Sequence, residues 1–189
     1  MNLVFLHTNN LIMNIGIIWG SDTGDTEDVT HYIKNKLEKY NVETIEVSSA
    51  STEDFLRFDL LMIGLSTWYD GDLQSDWEVY FPTFKEIDFS GKKVAIFGLG
   101  DQIVYDEYFV DGIGILAKEV LNNNGEIVGY WPNDDYEFEE SKGLLNDELF
   151  YGLALDECNQ YEMTKDRVDR WLELLNLDTI VVDEEIRTQ

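Results

Sequence analysis

Three glycine-rich segments, each directly after a short apolar run, carry groups that suit a ligand with a phosphate and a flat ring. The first reads GSDTGDTE over residues 20–27 and opens into a stretch with helical spacing. It offers hydroxyls from Ser21, Thr23 and Thr26 and backbone N–H groups at the positive end of a helix dipole, which together bind phosphate. An ordinary helix N-cap at Thr23 or Asp25, without a ligand, is the competing interpretation.

The same segment narrows the kind of phosphate ligand. It lacks the lysine of a GxxxxGK[ST] loop, so a nucleoside triphosphate with Mg²⁺ is not expected. The chain also has no GxGxxG pattern, which argues against a dinucleotide site. A phosphate monoester fits these groups best.

The other two segments place aromatic side chains beside glycines. Residues 66–72 read STWYDGD and residues 98–105 read GLGDQIVY. Aromatic side chains at the carboxyl end of a strand should be exposed, which is unusual for such large residues unless they meet a ligand or a partner. Gly71 allows the main chain to approach a flat ring. We therefore expect Trp68 and Tyr105 to form one site with the phosphate-binding turn. A Trp68 folded over the core is the competing interpretation.

Alternating strand and helix patterns must position these segments. Apolar runs predict strands at residues 15–19, 42–47, 60–65, 94–97, 127–131 and 150–155. Helical spacing predicts helices over residues 29–40, 77–84, 110–121 and 168–175. This alternation is typical of a three-layer α/β/α sandwich, in which ligands bind beyond the carboxyl ends of the strands.

The charge of the chain excludes several classes of partner. The 189 residues hold 13 Lys and Arg against 39 Asp and Glu, a formal net charge of −26. Such a surface repels nucleic acid and anionic membranes, so basic partners are expected. With 44% apolar and 13% aromatic residues, the chain can still fill a core and is expected to form a single domain over residues 13–177.

Cysteine and histidine usage indicates a cytoplasmic protein without a metal site. Cys158, the only cysteine, cannot form an intramolecular disulfide, and no catalytic role is expected of His7 or His31, the only histidines. Residues 1–12 have no basic start and are interrupted by polar residues, so they are expected to be a disordered extension rather than a signal or membrane segment. Residues 178–189 are expected to form a polar tail.

The sequence resembles the flavodoxins, specifically the long-chain bacterial members, from Met13 to about Leu175. The resemblance is carried by GSDTGDTE (20–27), STWYDGDLQSDWE (66–78), GLGDQIVYDEYFVD (98–111), GYWPNDDYEFEESK (129–142) and GLALDECNQY (152–161). Within the family, the sequence resembles most the second flavodoxin of enteric-type bacteria. The resemblance implies a flavodoxin-like, five-stranded parallel sheet of order 2-1-3-4-5, with an insertion at residues 132–149 interrupting strand five, and it implies noncovalent binding of FMN.

Carried over residue by residue, the resemblance implies a set of cofactor contacts. Residues 21–26 would hold the phosphate, Trp68 would cover the inner face of the isoalloxazine and Tyr105 would stack on its outer face. The full set of implied cofactor-binding residues is Ser21, Asp22, Thr23, Gly24, Asp25, Thr26, Ser66, Thr67, Trp68, Tyr69, Asp70, Gly71, Leu99, Gly100, Asp101, Tyr105, Tyr108 and Phe109.

Main-chain groups complete the implied site, and two positions depart from the family. Residues 69–71 would meet flavin N5, and residues 99–101 would meet the pyrimidine end. Val104 stands where many relatives have glycine, next to the stacking Tyr105. Cys158 stands where relatives often carry an acid or a small polar residue, and we expect it to be an inert thiol.

The resemblance implies a low-potential one-electron carrier rather than an enzyme. Such a protein shuttles electrons between a reductase and acceptor enzymes through the semiquinone/hydroquinone couple of its flavin. One carboxylate at about 8 Å, with an effective dielectric near 20, would oppose the reduced anion by roughly 2 kcal/mol. The 69–71 main chain is expected to reorient so that it bonds the protonated N5. The expected partners are basic-faced redox proteins, an NADPH-dependent flavodoxin reductase and acceptor enzymes, in transient contact with a monomer.

Two other functions remain open from the residues alone. An FMN-dependent quinone or nitro reductase of the same fold would need an open substrate pocket above the flavin, whereas Trp68 and Tyr105 predict covered faces. A phospho-acceptor receiver domain would need an acidic pair after strand one and an Asp at the end of strand three. Here those strands end in Gly20-Ser21 and Leu65-Ser66.

Overall fold

A parallel sheet with helices on both faces organises the chain in a computed structural model that describes residues 12–178. In chain order the elements are β1 (Asn14–Trp19), α1 (Asp25–Lys36), β2 (Asn41–Glu46), β3 (Leu60–Trp68), β4 (Asp72–Leu73), α2 (Ser75–Phe84), β5 (Lys93–Leu99), α3 (Asp111–Asn122), β6 (Glu126–Val128), β7 (Trp131–Pro132), β8 (Leu144–Asn146), β9 (Leu149–Phe150), β10 (Leu153–Leu155) and α4 (Thr164–Leu175). Short 3₁₀ turns lie at Val47–Ser49, Thr52–Phe55, Asp106–Tyr108 and Tyr161–Met163. The predicted extension and tail lie almost wholly outside the described residues, and the domain limits stay a prediction.

The strand pairing confirms the predicted sheet order. The main path runs β10-β5-β3-β1-β2, with all of these strands parallel. The fifth position is shared: Val94 of β5 pairs with Ile127 of β6, and Gly98 pairs with Ala154 of β10. Because β6 and β10 are separated along the chain by residues 129–152, the insertion does interrupt strand five, as predicted.

The burial of the strands follows from their place in the sheet. In β1, Ile15, Ile17 and Ile18 are completely buried, as a strand covered on both faces requires. Phe97 of β5 packs against Trp171 of α4, whereas a Cβ at the next residue, Gly98, would lie 2.5 Å from a side-chain carbon of Ile113 in α3. Successive side chains of a strand point to opposite faces, so α3 and α4 cover opposite sides of the sheet.

Several predicted boundaries are wrong, each because of a local turn. Helix α1 ends at Lys36 rather than at residue 40, since the N–H of Leu37 bonds to the carbonyls of Ile33 and Lys34 and closes the last turn. The strand predicted over 127–131 stops at Val128, because Gly129 has φ +76° and turns the chain out of the sheet. The strand predicted over 150–155 is likewise divided into β9 and β10.

The insertion is a packed substructure. Strands β7, β9 and β8 form a small antiparallel sheet. Beneath it, Phe109 packs against Tyr136, Phe138 and Phe150, with ring centroids 5.4, 5.2 and 6.1 Å away. The hydroxyl of Tyr136 donates to the carbonyl of Ala154 at 2.6 Å, and burial raises the pKa of Tyr136 to about 12. The insertion is therefore fixed to the main sheet through its own aromatic core.

The insertion also packs tightly on helix α3. A Cβ at Gly114, in the middle of α3, would lie 1.7 Å from the carbonyl oxygen of Lys142. Only a residue without a side chain leaves room for that main-chain contact.

We predict that Gly114→Ala destabilises the protein, although alanine normally stabilises a helix interior by about 1 kcal/mol relative to glycine. Overpacking against a backbone atom costs about 1–3 kcal/mol and outweighs the helix propensity. Urea unfolding of the ligand-free protein measures the change. Lys118→Ala, at an exposed position of the same helix, is the matched control and should change stability by less than about 0.5 kcal/mol. A Gly114→Ala protein at least as stable as the wild type would contradict this packing.

Candidate functional site

A cleft opens at the carboxyl edge of the sheet, where the loops after β1, β3, β5 and β10 meet. Its empty volume, including the open mouth, is about 650 Å³. The lining residues are Thr23, Asp25, Thr26, Ser66, Thr67, Trp68, Leu99, Gly100, Asp101, Tyr105, Glu157 and Cys158. The three segments that the sequence singled out therefore do converge on one cleft.

The turn after β1 leaves the first N–H groups of α1 without a side-chain cap. Gly24 is the N-cap residue, with φ +103°, and no side chain bonds across this helix start. The N–H of Gly24 donates to Oγ of Ser21 at 2.9 Å, and Oγ1 of Thr23 donates to the carboxylate of Asp25 at 2.7 Å. Because glycine occupies the cap position, the interpretation of Thr23 or Asp25 as an ordinary N-cap does not hold.

Thr26 carries the clearest sign of a missing ligand group. Its side chain is 1% exposed, and its Oγ1 has no hydrogen-bond partner, although the residue lines the cleft. Burying a hydroxyl without a partner costs free energy. An acceptor in the cleft, at the positive end of α1, would satisfy both this hydroxyl and the uncapped N–H groups.

Two half-buried aromatic residues line the same cleft. Nε1 of Trp68 donates to Oγ of Ser66 at 2.9 Å, which fixes the indole at the cleft wall rather than over the core. Tyr105 lines the cleft from the loop after β5, while the neighbouring Val104 is 66% exposed. The ring of Tyr69 contacts both of these side chains, with its centroid 6.0 Å from that of Trp68 and 6.5 Å from that of Tyr105.

A tight turn between β3 and β4 forms the rim beside Trp68. Trp68 pairs with Asp72 across the hairpin, and the N–H of Gly71 donates to the carbonyl of Trp68 at 3.1 Å. Tyr69 has φ +46° and Gly71 has φ +90°. A tyrosine in the left-handed region is strained, and such strain is typical of functional sites.

Asp101 orders the loop that carries Tyr105. Its carboxylate accepts hydrogen bonds from the N–H groups of Ile103 and Val104 and from the side chain of Asn159, at 2.9–3.0 Å. Burial opposes the charge of Asp101, but these hydrogen bonds outweigh burial and lower its pKa. Asp101 is therefore held as a carboxylate.

Some predicted residues lie next to the cleft rather than in its wall. Ser21, Asp22 and Gly24 form the turn behind Thr23, with Asp22 accepting hydrogen bonds from Gln74 and Ser75. Residues 69–71 form the rim, and Tyr108 lies behind them, against the insertion. Phe109 is completely buried among the aromatic residues of the insertion, which gives it a supporting position beneath the loop.

The loop after β10 contributes two lining residues that were not predicted as cofactor contacts, Glu157 and Cys158. Burial, followed by nearby carboxylates such as Asp25, raises the pKa of Glu157 despite a hydrogen bond from Thr164. Burial and the charge of Asp101 likewise raise the pKa of Cys158, which keeps the thiol protonated. The predicted strand order could have indicated both residues, because the carboxyl end of β10 lies at the same edge of the sheet as those of β1, β3 and β5.

Residues 12–178 contain neither a membrane-spanning helix nor a metal-binding cluster. None of the helices there is long and apolar enough to cross a membrane. No group of His, Cys, Asp and Glu among those residues is arranged to hold a metal ion.

Comparison with known proteins gives one consistent result. The family model described as Flavodoxin matches residues 17–171. The chain is 45% identical to Flavodoxin 1 of Escherichia coli K12 over 170 residues, covering 88% of this chain and 97% of that protein. It is 46% identical to a flavodoxin of Klebsiella pneumoniae over 158 residues, covering 84% of this chain and 90% of that protein.

A solved structure agrees in fold. The flavodoxin of Fusobacterium nucleatum, determined bound to flavin mononucleotide, superposes with a TM-score of 0.83 at 31% identity and covers 88% of this chain and 99% of its own. The narrower likeness to a second flavodoxin of enteric-type bacteria stays a prediction. The matched family, the curated relatives and the shared fold together establish that this chain belongs to the flavodoxin family.

Proposed function

We propose that this protein binds FMN noncovalently in the cleft and carries single electrons between redox proteins. The observation that carries the proposal is the buried, unpartnered hydroxyl of Thr26 at an uncapped helix start, in the same cleft as Trp68 and Tyr105. One end of the cleft thus suits a phosphate and the other suits a flat ring. Its likeness to a flavodoxin determined with flavin mononucleotide supports the same ligand.

The residues present fit FMN without a cation. The lining residues include no Lys or Arg, so the phosphate must be held by hydroxyls and backbone N–H groups of residues 21–26. These donors are neutral and fixed in place by the turn at Gly24 and the hydrogen bond to Ser21. We assign the phosphate to this turn.

The ring of FMN is assigned to the opposite end of the cleft. Trp68 and Tyr105 would hold its two faces, since aromatic rings stack at low entropic cost. Main-chain groups of residues 69–71 and 99–101 would bond its edge. These contacts would exclude water from the faces of the ring.

FMN, when bound, supplies one-electron redox chemistry, and the protein tunes it. Asp70, Asp72 and Glu107 are exposed on the loops beside Trp68 and Tyr105. Each carboxylate raises the energy of further negative charge in the cleft. The chain therefore acts as a low-potential carrier and not as an enzyme, because aromatic residues at both faces leave no open pocket for a substrate such as a quinone.

We further propose that the partners present basic surfaces. A net charge of −26 steers such proteins into short-lived encounters that weaken as salt is added. An NADPH-dependent reductase as donor and cytoplasmic acceptor enzymes, meeting a monomer of this chain, fit that description.

Titration of the purified protein with FMN tests the proposed function directly. We expect a one-to-one complex with quenched flavin fluorescence and a redox titration with two separable one-electron steps. Oxidation of the reduced complex by cytochrome c, a basic protein, should slow as ionic strength rises. A protein that takes up no FMN, or that is reduced only in a single two-electron step, would overturn the proposal.

Thr26→Val is expected to weaken FMN binding at least about tenfold, because a hydrogen bond to a charged group contributes about 1.5–3 kcal/mol. Riboflavin, which lacks the phosphate, should bind as it does to the wild type. The ligand-free variant should unfold at the same or a higher urea concentration, since the lost hydroxyl had no partner.

Thr30→Val provides the matched control for Thr26→Val. Thr30 is also buried on α1 with an unpartnered Oγ1, but it does not line the cleft. Its variant should leave the Kd for FMN unchanged. Equal losses of FMN affinity in both variants, or an equal loss for riboflavin, would place the phosphate elsewhere.

Glu157→Gln is expected to strengthen FMN binding a few-fold at pH 7 and above. The carboxylate lines the cleft, and its raised pKa reflects the cost of its charge there. The gain in affinity should shrink as pH falls through the raised pKa of Glu157. It should vanish below about 4.3, because Glu157 is then protonated both with and without FMN and the phosphate carries less charge. Kd values for FMN and riboflavin across pH measure this. The exposed Glu162→Gln is the control, and a pH-independent gain, or an equal gain in that control, would contradict the prediction.

A further inference from the structure

An ion pair between a buried carboxylate and a partly exposed lysine joins helix α3 to the insertion. Nζ of Lys142 lies 2.6 Å from Oδ2 of Asp111, and the backbone N–H of Lys142 donates to Oδ1 of the same carboxylate at 2.6 Å. The Asp111 side chain is only 1% exposed, whereas that of Lys142 is 55% exposed. The insertion thus supplies the cation that neutralises a carboxylate at the start of α3.

The pair lies directly against the turn between β3 and β4. A Cβ at Gly71 would lie 2.7 Å from Oδ2 of Asp111, 3.3 Å from Nζ of Lys142 and 3.3 Å from a ring carbon of Tyr108. Gly71 therefore rests on the two charged groups with no side chain between them. Tyr69 in the same turn has φ +46°, a conformation that persists only where the surrounding structure holds it.

The segment that carries Lys142 is fixed on several sides. The N–H groups of Glu139 and Glu140 both donate to the carbonyl of Asp106 at 3.0 Å, and Oγ of Ser141 donates to the carbonyl of Phe109. The carbonyl of Lys142 lies in the gap that Gly114 leaves on α3. Because these contacts hold its main chain, the Lys142 ammonium has a defined position behind the turn.

We propose that Lys142 is a positioning residue for the redox site. Paired with Asp111, it supports the Gly71 turn and cancels a buried negative charge behind it, so that the insertion sets the potential of the bound flavin. This inference rests on the proposed FMN site. Removing one partner of a buried pair leaves an uncompensated charge. Without the Lys142 ammonium, the Asp111 carboxylate would oppose any electron added to the cleft.

Three variants separate charge from packing. Lys142→Met removes the cation and keeps most of the side-chain volume. Asp111→Asn/Lys142→Met removes both charges, restores the net charge of the wild type and keeps an acceptor for the N–H of residue 142. Lys118→Met, at an exposed position of α3, changes the net charge by the same amount as Lys142→Met without touching the turn.

The midpoint potential of the second electron, measured on each FMN-loaded variant, is the first readout. We expect this potential to be about 59 mV lower in Lys142→Met than in Lys118→Met, which is equivalent to a tenfold weaker relative affinity for the reduced flavin. In the double variant, the relative affinity for the reduced flavin should return to within threefold of that of the wild type. A Lys142→Met potential equal to that of Lys118→Met, or a double variant displaced as far as Lys142→Met, overturns the proposal.

Amide hydrogen exchange in the FMN-free protein is the second readout and does not depend on the flavin. The N–H of Gly71, bonded to Trp68, should exchange at least about tenfold faster in Lys142→Met than in Lys118→Met. Equal exchange overturns the supporting role of the pair. Absence of FMN uptake by the wild type would overturn the proposed function instead, and the exchange measurement would still decide the role of Lys142.

Discussion

Holding an anion within a chain of net charge −26 is the constraint on which the rest of the site depends. Among residues 12–178, no lysine or arginine lines the cleft, so attraction there must come from neutral donors whose dipoles already point at the ligand. Neutral donors stabilise an anion strongly only when they are fixed before binding, because the free-energy cost of reorienting them would offset the binding free energy that they contribute. That requirement explains a helix that begins at a glycine in the left-handed region and a threonine hydroxyl buried without a partner.

The parallel sheet meets this requirement by its geometry. Strands β1, β3 and β5 are buried on both faces, so their ends cannot shift without disturbing the core. The strand order changes direction between β1 and β3, which opens the crevice where ligands of such sheets bind. The turn to which we assign the phosphate follows β1, Trp68 is the last residue of β3, and Tyr105 follows β5. A rigid core thus fixes loops that would have little rigidity alone.

The parts of this arrangement that depend on neighbours in sequence could be predicted from the sequence. Continuous apolar runs indicated the central strands, and the glycine-containing segments that carry Thr26, Trp68 and Tyr105 indicated one shared site. The parts that depend on distant contacts could not. Neither the burial of Phe109 under the insertion nor the contact of Gly71 with Asp111 and Lys142 has a local signature, because both arise only when the insertion folds back on α3.

The two ends of the cleft therefore differ in how charge is managed. At the end proposed for the phosphate, dipoles would take the place of cations, and the charge of Glu157 would oppose the ligand. At the ring end, exposed carboxylates disfavour reduction, but the one carboxylate buried against the turn, Asp111, is neutralised by Lys142. A buried, unpaired charge there would act with little screening, whereas the exposed carboxylates are moderated by water and salt. The insertion thus neutralises a charge that solvent would screen only weakly, so that Lys142 and the exposed carboxylates at the rim together set the potential of the proposed flavin site.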